Sequence, residues 1–240
     1  MKVKKNNATV TAADIQLSYH QSTSDQLFEY LRDEIVNMAI EPGSTMSENK
    51  LAAKFGVSRT PVRETIAKLV SLGFLEVRPQ RGTFVSKLSI PKIVEARFIR
   101  EALEVAVVAY CAEHASDTLI ADCEALIEQQ REAASELNAL EFQRLDDDFH
   151  QTLADFSQYK RAASLIQYEK AHMDRVRNLS LKEFGGQYDS VLEQHTAIVE
   201  ALRARDPAAA REAMSSHLHL ILQVLHAVKS RHSEYFDESE

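Results

Sequence analysis

The stretch Ser47–Val85, SENKLAAKFGVSRTPVRETIAKLVSLGFLEVRPQRGTFV, has the pattern of two short helices joined by a tight turn. Apolar residues recur at helical spacing in its first part, and Gly56 then ends that helix. Ser58 is placed to cap the second helix, and Pro61 falls in its first turn, where a missing N–H costs nothing. The residues predicted to form the buried stripe of this second helix are Val62, Ile66, Leu69, Val70 and Leu72.

The opposite side of the second helix is predicted to be exposed and cationic, because it carries Arg59, Thr60, Arg63 and Lys68. After Gly73, the segments 74–77 and 83–85 predict two short strands around a basic turn. Two helices followed by such a ribbon form a winged helix-turn-helix, which places the second helix in the major groove of DNA and the wing beside it.

The charge of this segment separates two interpretations of its exposed side. Residues 47–87 carry eight Lys and Arg against three Glu, a local balance of +5. A solvated helical face is the ordinary explanation of a charged stretch. Neutralisation of phosphates by Lys and Arg, however, supplies most of the nonspecific affinity of proteins for DNA. The local charge together with the two glycine turns therefore predicts DNA binding.

The run GVSRTPVRE at 56–64, with Leu69, Gly73 and the wing RGTFV at 81–85, closely resembles the DNA-binding domain of GntR-type bacterial transcription regulators. In that family, the start of the recognition helix and the glycine of the wing contact phosphates and base edges. Asn49 departs from the pattern, because some relatives have an arginine there. The positions that we therefore expect to contact DNA are Lys50, Ser58, Arg59, Thr60, Arg63, Arg81, Gly82 and Thr83.

Composition sets the general class of the protein. A length of 240 residues favours two domains, and 45% hydrophobic with 27% charged residues is typical of a soluble globular chain. The sequence contains no apolar run of membrane-spanning length and no secretion signal, so we expect a cytoplasmic protein. Cys111 and Cys123 lie in apolar helical patterns, and we expect buried thiols there rather than a disulfide.

The formal net charge of −8 hides an asymmetry between the two halves of the chain. Residues 1–90 carry 12 Lys and Arg against 9 Asp and Glu, whereas residues 91–240 carry 16 against 27. A basic N-terminal part suits contact with a polyanion, and an acidic remainder does not. We therefore assign DNA binding to the N-terminal part alone.

We predict a mainly α fold with two domains. A polar arm (1–22) precedes the winged helix-turn-helix domain (23–87), whose first helix is expected from Ser24 to Ala39. After a linker at 86–91, residues 88–232 are predicted to form an antiparallel bundle of about six helices, and 233–240 a tail. The six helical patterns cover about 91–115, 117–137, 139–157, 160–182, 187–204 and 207–232.

Four polar residues of the predicted bundle share faces with apolar residues or with one another. Asp146 and His150 are one helical turn apart, while His195 and His217 each lie among apolar residues of later helices. If they converge, one Asp and three His suit Zn, Ni, Mn or a similar divalent ion. The alternative is that each histidine is a hydrogen-bonded core residue and that Asp146 belongs to a solvated acidic run.

The spacing of these residues resembles the ligand-binding domain of the FadR-like subclass, often called FCD. The resemblance rests on Asp146-x-x-Phe149-His150, on Glu193-Gln194-His195 and on Met214–Leu218. It implies a divalent metal held by Asp146, His150, His195 and His217, and a small carboxylate effector at the metal's remaining positions.

The resemblance also implies an effector-binding arginine on the first helix of this domain, and Arg100 matches that position. Arg97 is a nearby alternative, and either could pair with Glu101 or Glu104 instead. Arg175 and Arg177 are further candidates for the cavity wall or for a solvated basic turn.

Together these patterns predict a homodimeric bacterial transcription regulator, a repressor that its ligand releases from operator DNA. A dimer would present two recognition helices to two half-sites one turn of DNA apart. Two alternatives use the same Asp/His site: a metal-dependent enzyme, and a sensor of the metal ion itself. We favour a protein that is not an enzyme, because no nucleophile or acid/base pair accompanies these residues.

Overall fold

A computed structural model describes residues 21–183 and 188–237. Nearly all of the predicted N-terminal arm and the predicted helix break at 185–186 lie outside these residues. The chain forms two compact units. Of the described residues, the first unit comprises 21–35 and 39–86, and the second comprises 36–38, 87–183 and 188–237.

The first unit is a winged helix-turn-helix. Its elements are α1 (Thr23–Val36), β1 (Thr45–Met46), α2 (Glu48–Phe55), α3 (Arg59–Ser71), β2 (Leu75–Arg78) and β3 (Gly82–Val85). The strands form an antiparallel sheet in the order β1-β3-β2, with Val77 and Met46 both opposite Thr83. The sequence predicted β2 and β3 but not β1, because two residues are too few to show an alternating pattern.

Helix α1 ends at Val36, three residues before the predicted Ala39. Its start is capped by Ser22, whose Oγ accepts a hydrogen bond from the Asp25 backbone N–H at 3.1 Å. Beyond the end of this helix, Met38 has a φ of 59°, in the left-handed region, so the helix does not extend through it. Leu27, Leu31 and Ile35, which recur at helical spacing, form the buried side of α1.

The turn between α2 and α3 follows the sequence prediction. Gly56 ends α2 with a φ of 65°, a left-handed conformation that glycine adopts without steric strain. Ser58 takes the N-cap position of α3, but its side chain makes no capping hydrogen bond. Val62, Ile66 and Leu69 are buried, whereas the other two predicted stripe residues are partly exposed because they lie near the C-terminal end of α3.

The second unit is a bundle of helices, and their bounds agree with the predicted patterns to within a few residues. They are α4 (Ile90–His114), α5 (Asp117–Ser135), α6 (Ala139–Phe156), α7 (Lys160–Glu183), α8 (Tyr188–Arg203) and α9 (Pro207–Arg231). Ser89, Ser116, Asn138 and Asp206 cap four of these helices by accepting backbone N–H groups. The mainly α fold class is thus confirmed.

Two apolar clusters form the core of this bundle. The larger one includes Phe142, Leu145 and Phe149 of α6, and the smaller one joins α4, α7 and α9 to Leu88 and Phe236. The predicted C-terminal tail begins with a short 3-10 helix (Ser233–Tyr235), after which Phe236 is buried and pairs with Leu88. These residues therefore add to the core of the second unit.

Candidate metal centre and nucleic-acid interface

The exposed start of α3 carries the residues predicted to read DNA. Arg59, Thr60 and Arg63 are all exposed. Glu48 of α2 accepts hydrogen bonds from Arg63 Nε at 2.8 Å and from Arg59 Nη2 at 3.1 Å. These two bonds lower the pKa of Glu48. No sequence pattern predicted this role of Glu48, whose carboxylate holds both guanidinium groups on one surface.

The remaining predicted contacts lie on α2, on the turn before α3 and on the wing. Lys50, Ser58 and Arg81 are exposed, and Thr83 is partly buried within β3. Gly82 has a φ of 107°, which a residue with a Cβ rarely adopts, so glycine allows the wing to turn at this point. The Ser58 hydroxyl makes no capping hydrogen bond in the described chain, so it can bind another group without first losing such a bond.

In the second unit, three helices bring the four predicted metal-binding residues together. Asp146 and His150 come from α6, His195 from α8 and His217 from α9. All four side chains are buried, and one ligand atom from each lies within 4.8 Å of the others. The convergence that sequence spacing alone left open is therefore present in the fold.

A hydrogen-bond partner fixes the tautomer of two of the histidines. His195 Nδ1 lies 2.9 Å from Gln130 Oε1, and His217 Nδ1 lies 3.0 Å from Gln194 Oε1. An amide oxygen only accepts, so each Nδ1 carries the hydrogen and each Nε2 keeps its lone pair. Partners of this kind orient metal-binding imidazoles in proteins.

His150 is held in the same way by a carboxylate. Its Nδ1 forms a short contact with Glu104 of α4, and its Nε2 lies 3.0 Å from Nε2 of His217. Burial raises the pKa of Glu104, but Arg100 and His150 more than offset this and lower it to about 2. Glu104 is therefore an ionised acceptor for the His150 N–H.

The site keeps the imidazoles of His195 and His217 neutral and the carboxyl of Asp146 ionised. Burial lowers the pKa of His195 to about 3, although Asp146 opposes the shift. Burial and the two neighbouring imidazoles also hold the pKa of His217 well below its usual value. Burial opposes the ionisation of Asp146, yet Arg177 and the histidines hold its pKa well below its usual range. These are the protonation states that a metal ion requires of its ligands.

The geometry of the donors fits a divalent ion. His195 Nε2 is buried and has no hydrogen-bond partner among the described residues; the nearest Asp146 oxygen is 3.5 Å away. Two nitrogens bound at right angles to one ion, each at about 2.1 Å, lie about 3.0 Å apart. The distance between the Nε2 atoms of His150 and His217 matches this value. Imidazole and carboxylate donors together suit Zn, Ni or Mn.

A cavity of about 540 Å3, including its mouth, adjoins this site. Arg100, Arg177 and His217 contribute to its wall, and Asp174 and Ser180 are the other polar lining residues. The rest of the described wall is apolar and consists of Met173, Leu181, Val191, Leu218, Leu220, Ile221 and Val224.

The four candidate arginines take different positions. Arg100 is buried beside Glu104 in the cavity wall, and Arg177 donates two hydrogen bonds to Asp146 there. Arg97 pairs with Glu101 instead, and Arg175 is buried, with its pKa lowered to about 10 by burial. Neither Arg97 nor Arg175 belongs to the described lining of the cavity.

A buried polar cluster between α6 and α7 was not predicted from the sequence. Lys170 is buried and donates hydrogen bonds to both carboxylate oxygens of Asp174 at 2.8 and 2.9 Å, and it contacts Asp147. Gln143 donates to the same two aspartates. Lys170 lies on a helix with many charged residues, so no pattern distinguished it from a solvated lysine.

Family models match both units. The model described as bacterial regulatory proteins, gntR family, matches residues 23–85, and the FCD domain model matches residues 95–220. The chain is also 35% identical over 225 residues to the HTH-type transcriptional repressor RspR of Escherichia coli strain K12, covering 94% of this chain and 98% of RspR. The chain belongs to the GntR family.

One further relative and one solved structure are also similar to this GntR regulator. It is 29% identical to the gluconate operon transcriptional repressor of Bacillus licheniformis, over 79% of this chain and 77% of that protein. The solved structure of E. coli McbR/YncC has the same fold, with a TM-score of 0.76 and 22% identity, over 86% of this chain and 98% of that one. Both resemblances stated from the sequence are thereby confirmed.

The relatives are regulators of transcription, and this agrees with the prediction that the chain is not an enzyme. Across residues 21–183 and 188–237, no helix combines the length and the apolar character that crossing a membrane requires.

Proposed function

We propose that this GntR regulator is a homodimeric repressor whose operator affinity is controlled by a small carboxylate. The carboxylate binds beside a divalent metal held by Asp146, His150, His195 and His217. The observation that carries this proposal is the convergence of these four buried donors, of which His217 also lines the cavity. When bound, the metal supplies coordination positions for an anionic oxygen.

The charges around the cavity favour an anion over a cation. Two guanidinium groups, those of Arg100 and Arg177, reach its wall beside His217. Among the described residues, the hydrogen-bond partner of Arg100 Nη1 is the sulfur of Met173 at 4.0 Å, a weak acceptor that a carboxylate could replace. The apolar remainder of the wall suits the carbon skeleton of a small organic acid. The name of one relative, the gluconate operon repressor, also refers to such an acid.

For DNA, we propose that the start of α3 enters the major groove and that the wing lies beside it. The proposed contacts are Lys50, Ser58, Arg59, Thr60, Arg63, Arg81, Gly82 and Thr83. The exposure of all of these residues except Thr83, and the paired arginines at Glu48, support this assignment. A homodimer would present two such surfaces to two half-sites.

Effector binding then alters operator affinity through the chain that connects the two units. We place this coupling at residues 86–91, where the chain passes from β3 to the start of α4. A coupling free energy of about 1–3 kcal/mol changes affinity by roughly 5- to 150-fold.

The experiment that tests the metal and the effector has two parts. Elemental analysis of the purified protein should find stoichiometric metal, and His195→Ala and His217→Ala should abolish its retention. His219→Ala is the matched control, because His219 is an exposed histidine on the same helix as His217. Full metal content in both site variants would rule out the proposed ligands.

A thermal-shift screen of small organic acids forms the second part, since a ligand that binds the folded state raises its apparent stability. One acid should stabilise the metal-loaded protein and release it from operator DNA. Release that follows metal concentration without any acid would instead identify a metal sensor. Turnover that follows metal content would support the metal-dependent enzyme.

A further inference from the structure

Arg177 of α7 belongs to both parts of the candidate site. Its side chain lines the cavity, and it donates hydrogen bonds to both carboxylate oxygens of Asp146, at 2.6 Å to Oδ2 and 2.8 Å to Oδ1. Helix α7 supplies five of the described lining residues of the cavity but none of the four proposed metal ligands. Through Arg177, this helix reaches the ligand set.

The two oxygens of Asp146 have different surroundings. Oδ1 lies 3.5 Å from His195 Nε2, which is buried and has no hydrogen-bond partner among the described residues. Oδ2 is more distant from its nearest imidazole nitrogen, His150 Nε2, at 4.0 Å. A carboxylate that binds a metal through one oxygen accepts hydrogen bonds with the other. Oδ1 is therefore the oxygen placed to act with the histidines, and Oδ2 can keep its bond to Arg177.

The charge of this region depends on whether the metal is bound. In the metal-free protein, the carboxylate of Asp146 and the guanidinium of Arg177 offset each other. A divalent ion adds two positive charges, which repel the neighbouring guanidinium and compete with it for the same carboxylate. An anion in the cavity, beside Arg177, reduces this excess of positive charge. The metal-loaded site should therefore attract an anion more strongly than the metal-free site does.

We propose that Arg177 exchanges partners when the metal site fills: Nη1 keeps its bond to Asp146 Oδ2, while Nη2 leaves Oδ1 and binds the carboxylate of the effector. This inference rests on the metal and the carboxylate of the proposed function, and it adds the order of binding, with the metal first and the acid second. A guanidinium suits this role because its two terminal nitrogens can donate to two carboxylates at once. In the metal-free protein, Asp146 occupies both nitrogens and leaves neither for the acid.

Helix α7 carries a second buried cation that serves as a comparison. Lys170 lies two turns before Arg177 on the same side of the helix, and it binds Asp174 and Asp147. Neither of these aspartates is a proposed metal ligand. Lys170 acts on Asp146 only through its charge, from a greater distance. Its loss therefore removes a buried positive charge but no bond to a ligand.

The first measurement is the affinity of the full-length, metal-free protein for Zn2+, from competition with a chromophoric chelator. Arg177→Met should bind Zn2+ about tenfold more tightly than the native protein, because the competitor for Asp146 and a neighbouring positive charge are both removed. Lys170→Met should change this affinity by less than about threefold, since its charge is more distant. A purely structural role of Arg177 predicts the opposite sign, because a distorted site binds metal more weakly.

The second measurement uses acetate as the probe and isothermal titration calorimetry as the readout. Zn2+-loaded native protein should bind acetate at least about tenfold more tightly than Zn2+-loaded Arg177→Met, which lacks the donor. Metal-free native protein should not bind acetate measurably. Acetate should in turn raise the Zn2+ affinity of the native protein, because the coupling between two ligands is reciprocal.

Arg177→Lys separates the exchange from folding. An ammonium keeps a positive charge beside Asp146, so this variant should fold like the native protein, and circular dichroism checks this for every variant. A lysine is a point charge without the fork of a guanidinium, so it cannot hold two carboxylates in the same way. Its Zn2+ affinity should stay within about threefold of the native value, whereas its acetate affinity should fall as in Arg177→Met.

The outcomes separate the exchange from the proposed function. Native Zn2+ and acetate affinities in Arg177→Met would overturn the exchange and leave the metal site intact. Weaker binding of both ligands would also overturn it and would assign Arg177 to the positioning of Asp146. Equal binding of acetate with and without Zn2+ would overturn the order of binding. A native protein that binds no Zn2+ would overturn the proposed metal site together with the exchange.

Discussion

Arg177 binds Asp146 through two parallel hydrogen bonds: Nη1 donates to Oδ2 at 2.6 Å and Nη2 donates to Oδ1 at 2.8 Å. Asp146 is completely buried, so its negative charge depends on this guanidinium in the absence of a metal ion. The same carboxylate is a proposed metal ligand. Arg177 lines the cavity and also binds Asp146 of the candidate metal site, so a single side chain connects the two.

Loss of this pair should destabilise the metal-free protein. Arg177→Met leaves Asp146 buried without its cation, and we expect the free energy of unfolding to fall by about 3 kcal/mol. Urea denaturation in the presence of a chelator measures this change. Arg203→Met is the control, because the Arg203–Glu124 pair is exposed and its loss should cost less than about 1 kcal/mol. Equal losses in both variants would show that Asp146 does not depend on Arg177.

The metal-free protein should lose stability as the pH falls below about 6.5. The pKa of His195 is about 3 in the folded state and that of His217 is also depressed, so only the unfolded chain gains these protons at first. For each of these two histidines, the free energy of unfolding then falls by about 1 kcal/mol per pH unit. The fall ends when the pH reaches the pKa of that histidine in the folded state. Glu104 adds to the loss between its usual pKa of 4.5 and about 2.

Urea titrations between pH 8 and pH 5, about the range in which histidine titrates, measure this slope. His195→Gln should reduce the slope, because it removes one of the two depressed histidines. A free energy of unfolding that is constant over this range would contradict the buried neutral state of both imidazoles.

The partners of the histidines should contribute to metal affinity without touching the metal. Gln130→Leu removes the acceptor that orients His195, and we expect metal affinity to fall by about 10- to 100-fold. Competition with a chromophoric chelator gives the affinity. Gln151→Leu is the matched control, because Gln151 lies on α6 but bonds Asp155 and Gln167 instead. An unchanged affinity in Gln130→Leu would assign Gln130 to packing alone.

On the DNA side, Arg63→Ala should weaken operator binding by about 1–3 kcal/mol if the guanidinium reads a base. A fragment selected from random DNA by the native protein serves as the operator, and gel shifts give the affinity. Arg205→Ala, which removes an exposed arginine of the second unit, should leave the affinity unchanged. Native affinity in Arg63→Ala would remove Arg63 from the interface.

Lys50 is predicted to contact a phosphate and therefore to act on the salt dependence of binding. Lys50→Ala should lower the slope of log affinity against log salt concentration by about 1. Titrations at several salt concentrations with the same fragment measure it. A slope equal to that of the native protein would show that Lys50 contacts no phosphate and is a solvated residue of α2.

Much of this fold follows from local patterns. Glycine at position 56, the caps at Ser47 and Asp206, and the spacing of apolar residues act within a few residues of themselves, so they set the helices and turns directly. Asp146 and His150 share a helical face for the same reason. The sequence by itself thus determined the two-unit organisation, the order of the helices and the identity of the four candidate ligands.

The tertiary structure alone decided which side chains complete the site. Gln130, Gln194, Glu104 and Arg177 reach the histidines and the aspartate from other parts of the chain, and no periodicity connects them. The strand β1 exists only because β3 lies beside it. Such contacts join residues that are far apart in sequence, so they are set by how the helices and strands pack, which local spacing does not encode.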